Sequence, residues 1–261
     1  MGLSPGFHRR VAQLVEHRSP KPRVAGSSPV SPAKAFMKFT AQQARVAISD
    51  IESQLQTYLE QSKSVLWLTS GGSAIAIQVE IMNRLHAAAP EKLSSMMIMP
   101  VDERYGVYGH ENSNTSQMRA AGFKPGRATW YDVLEQHLPM SETVNHYAEL
   151  AEDAFARADV VVATLGMGPD AHTAGLLPDS PAVAGTVSTV VGYSWSDYER
   201  MTLGISALLK INQIWLLAYG DAKKEALKRL QRNDESIEQL PAKILYDITD
   251  VTVYNDFIGL T

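Results

Sequence analysis

The 261-residue sequence contains no cysteine. Disulfides, thiolate metal sites and a cysteine nucleophile are thereby excluded, and the chain suits a reducing compartment such as the cytoplasm. Long hydrophobic runs are also missing: no stretch approaches the roughly 18 to 20 apolar residues that span a bilayer, so no membrane partner is expected. Acidic residues are scarce at the start. Through residue 36, only Glu16 opposes Arg9, Arg10, Arg18, Lys21, Arg23 and Lys34. That segment carries +5, which leaves −9 for the rest of a chain whose net charge is −4. An acidic remainder argues against nucleic acid as a partner. Pro5, Pro20, Pro22, Pro29 and Pro32 interrupt any amphipathic presequence helix, and with Ser27-Ser28 they read residues 1–36 as a disordered basic extension. Myristoylation is excluded by Gly6, where Ser or Thr is required. Met37 stands just before the first helical pattern, so a start codon assigned too far upstream is the expected origin of the extension. Residues 37–261 are expected to form one α/β domain.

With 45% hydrophobic and 20% charged residues over the whole chain, the protein can bury a sizeable core. Short apolar runs read as buried strands at 64–69, 96–101, 160–164, 214–219 and 251–254, with 187–191 β-like. Helical periodicity runs from Thr40 as N-cap through Ile48, Ile51, Leu55 and Leu59. It returns over 74–85, over 141–157 with Ser141 as cap, near 204–210, from about 221 to Leu230, and over 241–246. Thr173 to Pro178 reads as a short helical turn. Strands alternating with helices predict a doubly wound, mostly parallel sheet flanked by helices on both faces.

The polar motifs sit at the ends of these strands, where an open α/β sheet forms its ligand crevice. Leu165-Gly-Met-Gly-Pro-Asp-Ala-His172 follows the 160–164 strand, and its glycines allow close backbone approach beside Asp170 and His172, the latter a general-base candidate. Ser70-Gly71-Gly72-Ser73 joins a strand to a helix and offers backbone N–H groups and two hydroxyls to an anion. It has neither the lysine of a Walker loop nor the three-glycine dinucleotide spacing. A small phosphate ester is therefore expected, with no nucleotide cofactor. Asp102-Glu103-Arg104-Tyr105 ends the second run; Arg104 offers a planar fork to phosphate, and Asp102 is placed to orient a sugar hydroxyl or a catalytic group. The plainer alternative is a solvated rim pair. Asn114 is a helix cap first and a ligand contact second. Arg200 is either a second cation for the anion or the structural partner of an Asp. Lys223 lies in a first helical turn, where the macrodipole disfavours a cation, and so points to an anionic ligand.

This set of motifs, in this order, resembles the 6-phosphogluconolactonases, within a superfamily that also contains glucosamine-6-phosphate deaminases. The likeness runs from about Thr40 to the C-terminus. The resemblance implies a modified Rossmann-like fold and a metal-free, cofactor-free hydrolase of the pentose phosphate pathway that opens 6-phosphogluconolactone, a small sugar-phosphate lactone, with a monomer as the default expectation. It further implies that neutral His172 takes a proton from water attacking the lactone carbonyl, oriented by Asp170 or Asp102. The Gly71-Gly72 or Gly166-Gly168 turn would face the oxyanion, while Arg104, Lys223 and Ser70 to Ser73 hold the phosphate. The deaminase branch resembles Gly-His-Ile-Ala-Phe-Asn-Glu in the histidine loop, with an acid five residues beyond the His; that position here is Leu177. A catalytically lapsed sugar-phosphate binder is the third alternative. Two departures stand out. Ala74-Ile75 replace the family's Thr-Pro after Ser-Gly-Gly-Ser, and Ala171 replaces Gly between Asp and His. If position 171 takes a positive φ, alanine strains the loop by about 1 kcal/mol.

Overall fold

Each central strand divides its side chains between two cores. In β2 (Val65–Thr69), Val65 and Trp67 face one core while Leu66 and Leu68 face the other. The same alternation holds in β3 (Met96–Pro100), β6 (Val160–Gly166) and β9 (Gln213–Ala218). A one-residue slip would exchange the two cores, and each fully buried Leu or Val is worth roughly 1.5 to 3 kcal/mol, so register is firmly set. The computed structural model describes residues 36–259 except 186 and 197. Of the extension expected over 1–36, residues 1–35 lie outside the described residues.

The chain opens with β1 (Phe36–Ala41), α1 (Ala44–Glu60), β2 and α2 (Ile75–Ala88). After β3 come β4 (Asp102–Arg104), α3 (Asn114–Ala120), β5 (Thr129–Trp130) and α4 (Met140–Arg157). Beyond β6 lie β7 (Val190–Trp195), β8 (Tyr198–Leu203), α5 (Ile205–Leu208), β9, α6 (Lys224–Arg232) and β10 (Asp250–Asn255). Seven parallel strands build the main sheet in the order β1-β10-β9-β6-β2-β3-β5. Helices α1, α2 and α3 supply one core and α4, α5 and α6 the other. The expected doubly wound architecture is therefore present. From β2 the chain winds outward to β3 and β5, then returns to β6 on the opposite side of β2. The crevice between β2 and β6 is thus a topological switch point, where such sheets bind ligands.

Several local expectations are corrected. Thr40 does not cap a helix: it lies in β1, an edge strand that pairs with β10, and α1 starts after Gln43. Ser141 lies inside α4, whose cap is Pro139. Thr173 to Pro178 is not helical, because Ala174 and Gly175 have φ of +50° and +67°, and Thr173 instead bridges Leu176. The β-like stretch begins only at Val190, and the helix near 204–210 shrinks to α5. Asp102–Arg104, Val190–Trp195 and Tyr198–Leu203 form a second, antiparallel sheet in the order β4-β8-β7. Its Tyr193, Met201 and Leu203 join the core on the α4 side.

Candidate active site

The turn after β2 is shaped by its glycines. Gly72 has a φ of +66°, a conformation that glycine adopts at little cost. At Gly71 a Cβ would stand 1.9 Å from Asn114 Oδ1, so only glycine fits. A 3-10 turn, Gly72–Ala74, then leads into α2. Across the switch crevice, the Gly166 N–H donates to Ser70 Oγ at 2.9 Å and ties this turn to the end of β6.

Beyond β6 the chain folds back on itself. The Gly168 N–H donates to the His172 carbonyl at 2.8 Å, and the Ala171 N–H donates to the Gly168 carbonyl at 3.0 Å. This tight turn lays the imidazole over Gly168, where a Cβ would meet Nδ1 at 2.1 Å. His172 Nδ1 stands 2.6 Å from Asp170 Oδ1, and the same oxygen accepts the His172 backbone N–H at 3.2 Å. Burial pushes the Asp170 carboxyl up, but the hydrogen bond and charge of His172 outweigh it and hold Asp170 at about 2. Asp170 therefore stays an acceptor, so a neutral imidazole carries its proton on Nδ1 and leaves Nε2 unprotonated. Between the two sits Ala171, fully buried and with the positive φ feared for it, +68°. Its carbonyl accepts from the Ala242 N–H at 3.1 Å, which holds the strained residue in place.

The small sheet supplies cations. Arg104 and Arg200 are direct cross-strand partners in the β4–β8 pair, an arrangement in which like charges repel. Both guanidiniums stack on the Tyr198 ring, at 5.3 and 5.1 Å, and both Nε atoms are buried without a partner. Arg104 Nη1 donates to the Asn112 carbonyl at 2.9 Å. Among the described residues no carboxylate forms an ion pair with Arg104, Arg200 or Lys223. Burial pulls the Lys223 ammonium down, against the opposing charge of Asp170. Burial raises the Asp102 carboxyl, opposed by Arg104, His172 and Arg200.

All the predicted residues line one cleft, Ser70 to Ser73, Asp102, Arg104, Asn114, Gly168, His172, Arg200 and Lys223, except Asp170, which stands behind His172. Asn114 is not the cap expected of it. Ser113 caps α3 by accepting the Ser116 N–H at 3.1 Å, while Asn114 donates to the Asp102 carbonyl at 2.9 Å and keeps Oδ1 unpartnered. Of the two backbone turns considered for an oxyanion, the Gly166 and Gly168 N–H groups are already engaged. Gly71 and Gly72 stand instead at the open N-terminal end of the 3-10 turn, where N–H groups lack partners.

Sequence reasoning missed the residues that hold this frame. Glu103 is fully buried and accepts from the N–H groups of Arg104, Asn114 and Thr115, at 2.8, 2.6 and 3.0 Å, and from Ser113 Oγ at 3.0 Å. It locks β4 to the start of α3. At Gly175, φ +67°, a Cβ would stand 2.7 Å from the Asp102 Cβ. Tyr193 and Thr202 hydroxyls donate to the Gly175 and Ala174 carbonyls. Nothing in the spacing of these residues signals the contacts, which arise only when the two sheets meet. Among the described residues no cluster of three potential metal ligands occurs and no helix is long and apolar enough to cross a membrane.

Known proteins resemble this chain in sequence and fold. Residues 39–254 match the family described as glucosamine-6-phosphate isomerases/6-phosphogluconolactonase. The chain belongs to that family. A Bos taurus 6-phosphogluconolactonase is 26% identical over 87% of this chain and 88% of its own. A Lactobacillus johnsonii glucosamine-6-phosphate deaminase is likewise 26% identical, over 77% of this chain and 86% of its own. The crystal structure of a Thermotoga maritima 6-phosphogluconolactonase superposes with a TM-score of 0.70 at 18% identity, covering 85% of this chain and 99% of the other. Both activities of the family are thus represented among the relatives, and the choice between them falls to the site.

Proposed function

We propose that this chain hydrolyses 6-phospho-D-glucono-1,5-lactone to 6-phospho-D-gluconate. The observation that carries this reading is the Asp170–His172 pair, 2.6 Å apart, in one cleft with Arg104, Arg200 and Lys223 and with Leu177 as its apolar wall. A deaminase requires a carboxylate partner where Leu177 stands; a lactonase does not.

In this mechanism the three cations and the Ser70–Ser73 turn hold the phosphate, and remote binding energy sets C1 near His172. Nε2 of His172 takes a proton from water as its oxygen bonds to C1. The ring C–O bond then breaks, and the departing oxygen takes the proton back from His172. Asp170 holds the tautomer that makes Nε2 a base, a contribution of roughly 10² to 10⁴ in rate. Asp102, whose carboxylate does not touch the imidazole, faces the sugar hydroxyls. The Gly71 and Gly72 N–H groups receive a phosphate oxygen.

Purified protein is tested with freshly generated lactone, subtracting spontaneous hydrolysis, and in parallel for ammonia release from glucosamine 6-phosphate. Lactone turnover that disappears in His172→Ala, with no ammonia released, is the expected outcome. Ammonia release would reassign the chain to the deaminase branch, and binding without either turnover would make it a lapsed binder. We place the activity in residues 37–261, so a chain starting at Met37 is expected to match the full-length rate.

A further inference from the structure

Beneath the Ser70–Ser73 turn runs a chain of buried polar groups that no step above uses. Gln78 lies in the first turns of α2 and is fully buried. Its amide grips the main chain of Ser70 from both sides: Nε2 donates to the Ser70 carbonyl at 2.6 Å, and Oε1 accepts the Ser70 N–H at 3.1 Å. Gln78 Oε1 also accepts the Thr164 hydroxyl at 2.8 Å, and Thr164 Oγ1 accepts the Trp67 indole N–H at 3.0 Å. Thr164 and Trp67 are themselves fully buried, on β6 and β2. The Ser70 N–H, the Thr164 hydroxyl and the Trp67 N–H each meet an acceptor, and the two-sided contact with Ser70 fixes the orientation of the amide.

The series spans the switch crevice. It joins the end of β2, the end of β6 and the start of α2 at the one residue, Ser70, whose side chain also receives the Gly166 N–H. Neither the 3-10 turn at Gly72 nor the start of α2 has a side-chain cap. With Ala74 and Ile75 following Ser73, no hydroxyl of those two residues and no proline stiffens the turn from above. Left to itself, a Gly-Gly turn would sample many conformations, and a ligand would bear the cost of ordering it.

We propose that Gln78 is a positioning residue that preorganises the anion-binding turn from below, with Thr164 and Trp67 as its anchor. This rests on the assignment of Ser70 to Ser73 to the phosphate, and predicts an effect on phosphate affinity with little on the chemistry at C1. Gln78 touches no ligand; it acts through Ser70.

The test uses full-length protein and inorganic phosphate as a competitive inhibitor of lactone hydrolysis. Gln78→Leu keeps volume but leaves the Ser70 N–H and C=O unpartnered. With two hydrogen bonds to Ser70 lost, the phosphate inhibition constant and KM for the phosphorylated lactone should each rise roughly 10- to 30-fold. Turnover at saturation, and the slower rate on phosphate-free glucono-1,5-lactone, should stay unchanged. Gln78→Asn, which withdraws the amide by one methylene while remaining polar, should show the same split and covers the case in which Gln78→Leu does not fold. Thr164→Val should give a smaller shift in the same direction. A folded Gln78 variant with wild-type phosphate inhibition, or one whose losses fall equally on the phosphate-free lactone, overturns the inference. The proposed function fails separately: wild-type protein without lactone turnover refutes it, while phosphate binding measured by calorimetry still reads the role of Gln78.

Discussion

A single methyl group placed on Gly168 should disable the imidazole without disturbing the grip on phosphate. The added carbon would lie 2.1 Å from His172 Nδ1, 2.3 Å from its Cε1 and 2.4 Å from Asp170 Oδ1. Ordinary contacts between such atoms are about 3.5 Å, so something must move by more than 1 Å. The backbone of residue 168 is held on both sides by its bonds to His172 and Ala171, whereas the ring and the carboxylate are each roughly half exposed. The ring therefore swings out and the 2.6 Å contact with Asp170 is lost. A displacement of this size costs about 10²-fold in rate, and loss of a base about 10² to 10⁴. Gly168→Ala should therefore lower kcat for the lactone by at least about 10², measured against spontaneous hydrolysis, with KM little changed because Arg104, Arg200 and Lys223 lie on other elements. Thermal stability should fall by less than about 1 kcal/mol, since the clash is relieved toward solvent. A kcat within about twofold of wild type would remove the His172–Asp170 pair from the chemistry.

Four further outcomes are expected. Lys223→Ala should raise KM roughly 10- to 100-fold, the worth of one charge-assisted contact to phosphate, while leaving kcat nearly intact; a kcat defect alone would contradict the phosphate role. Glu103→Ala strands three buried N–H groups and should destabilise the fold by roughly 3 to 5 kcal/mol, read as a drop of about 10 °C or more in Tm; a drop under about 2 °C would show that the carboxylate is dispensable. Ala171→Gly relieves about 1 kcal/mol of backbone strain but loses a buried methyl worth about 0.8 kcal/mol and frees the unfolded chain, so Tm should change by less than about 3 °C. A larger gain would mean that position 171 stores more strain than its φ indicates. Asp170, depressed to about 2, contributes stability that is complete above the ordinary carboxylate value near 4 and is lost as pH falls through about 2. NMR titration of its carboxyl carbon should show that low midpoint, and one near 4 would mean that the pair does not form in solution.

Most of the site was readable because it sits at the ends of short, mostly apolar runs. The strand ends read at Thr69, Thr164 and Tyr219 fall within two residues of the observed Thr69, Gly166 and Ala218, and ligand crevices lie beyond such ends. The small sheet was not readable for the opposite reason. Its strands are short and half exposed, and Arg200 and Arg104 gain their places by pairing with each other, a contact between residues far apart in sequence. β1 escaped notice because an edge strand with one wet face, Phe-Met-Lys-Phe-Thr-Ala, has too little apolar length to stand out. The glycines divide in the same way. Gly72 was legible as a turn, whereas the need for glycine at 168 and 175 comes from side chains that fold over them. Gln78 gave no signal at all, since a glutamine in a helical pattern reads as a solvated position.

The pairing of β1 with β10 bears on how the molecule is made. The two strands lie more than two hundred residues apart in sequence, yet Phe39 finds its register only opposite Val253. While the ribosome is still adding β9, the earliest strand has no docking edge, and the nascent domain must wait with an unfilled groove until the final stretch emerges. A prematurely terminated product lacking residues 250–255 would therefore strand β1 and uncover β9 at once, turning one missing segment into two sticky edges of the kind that chaperones and proteases seek.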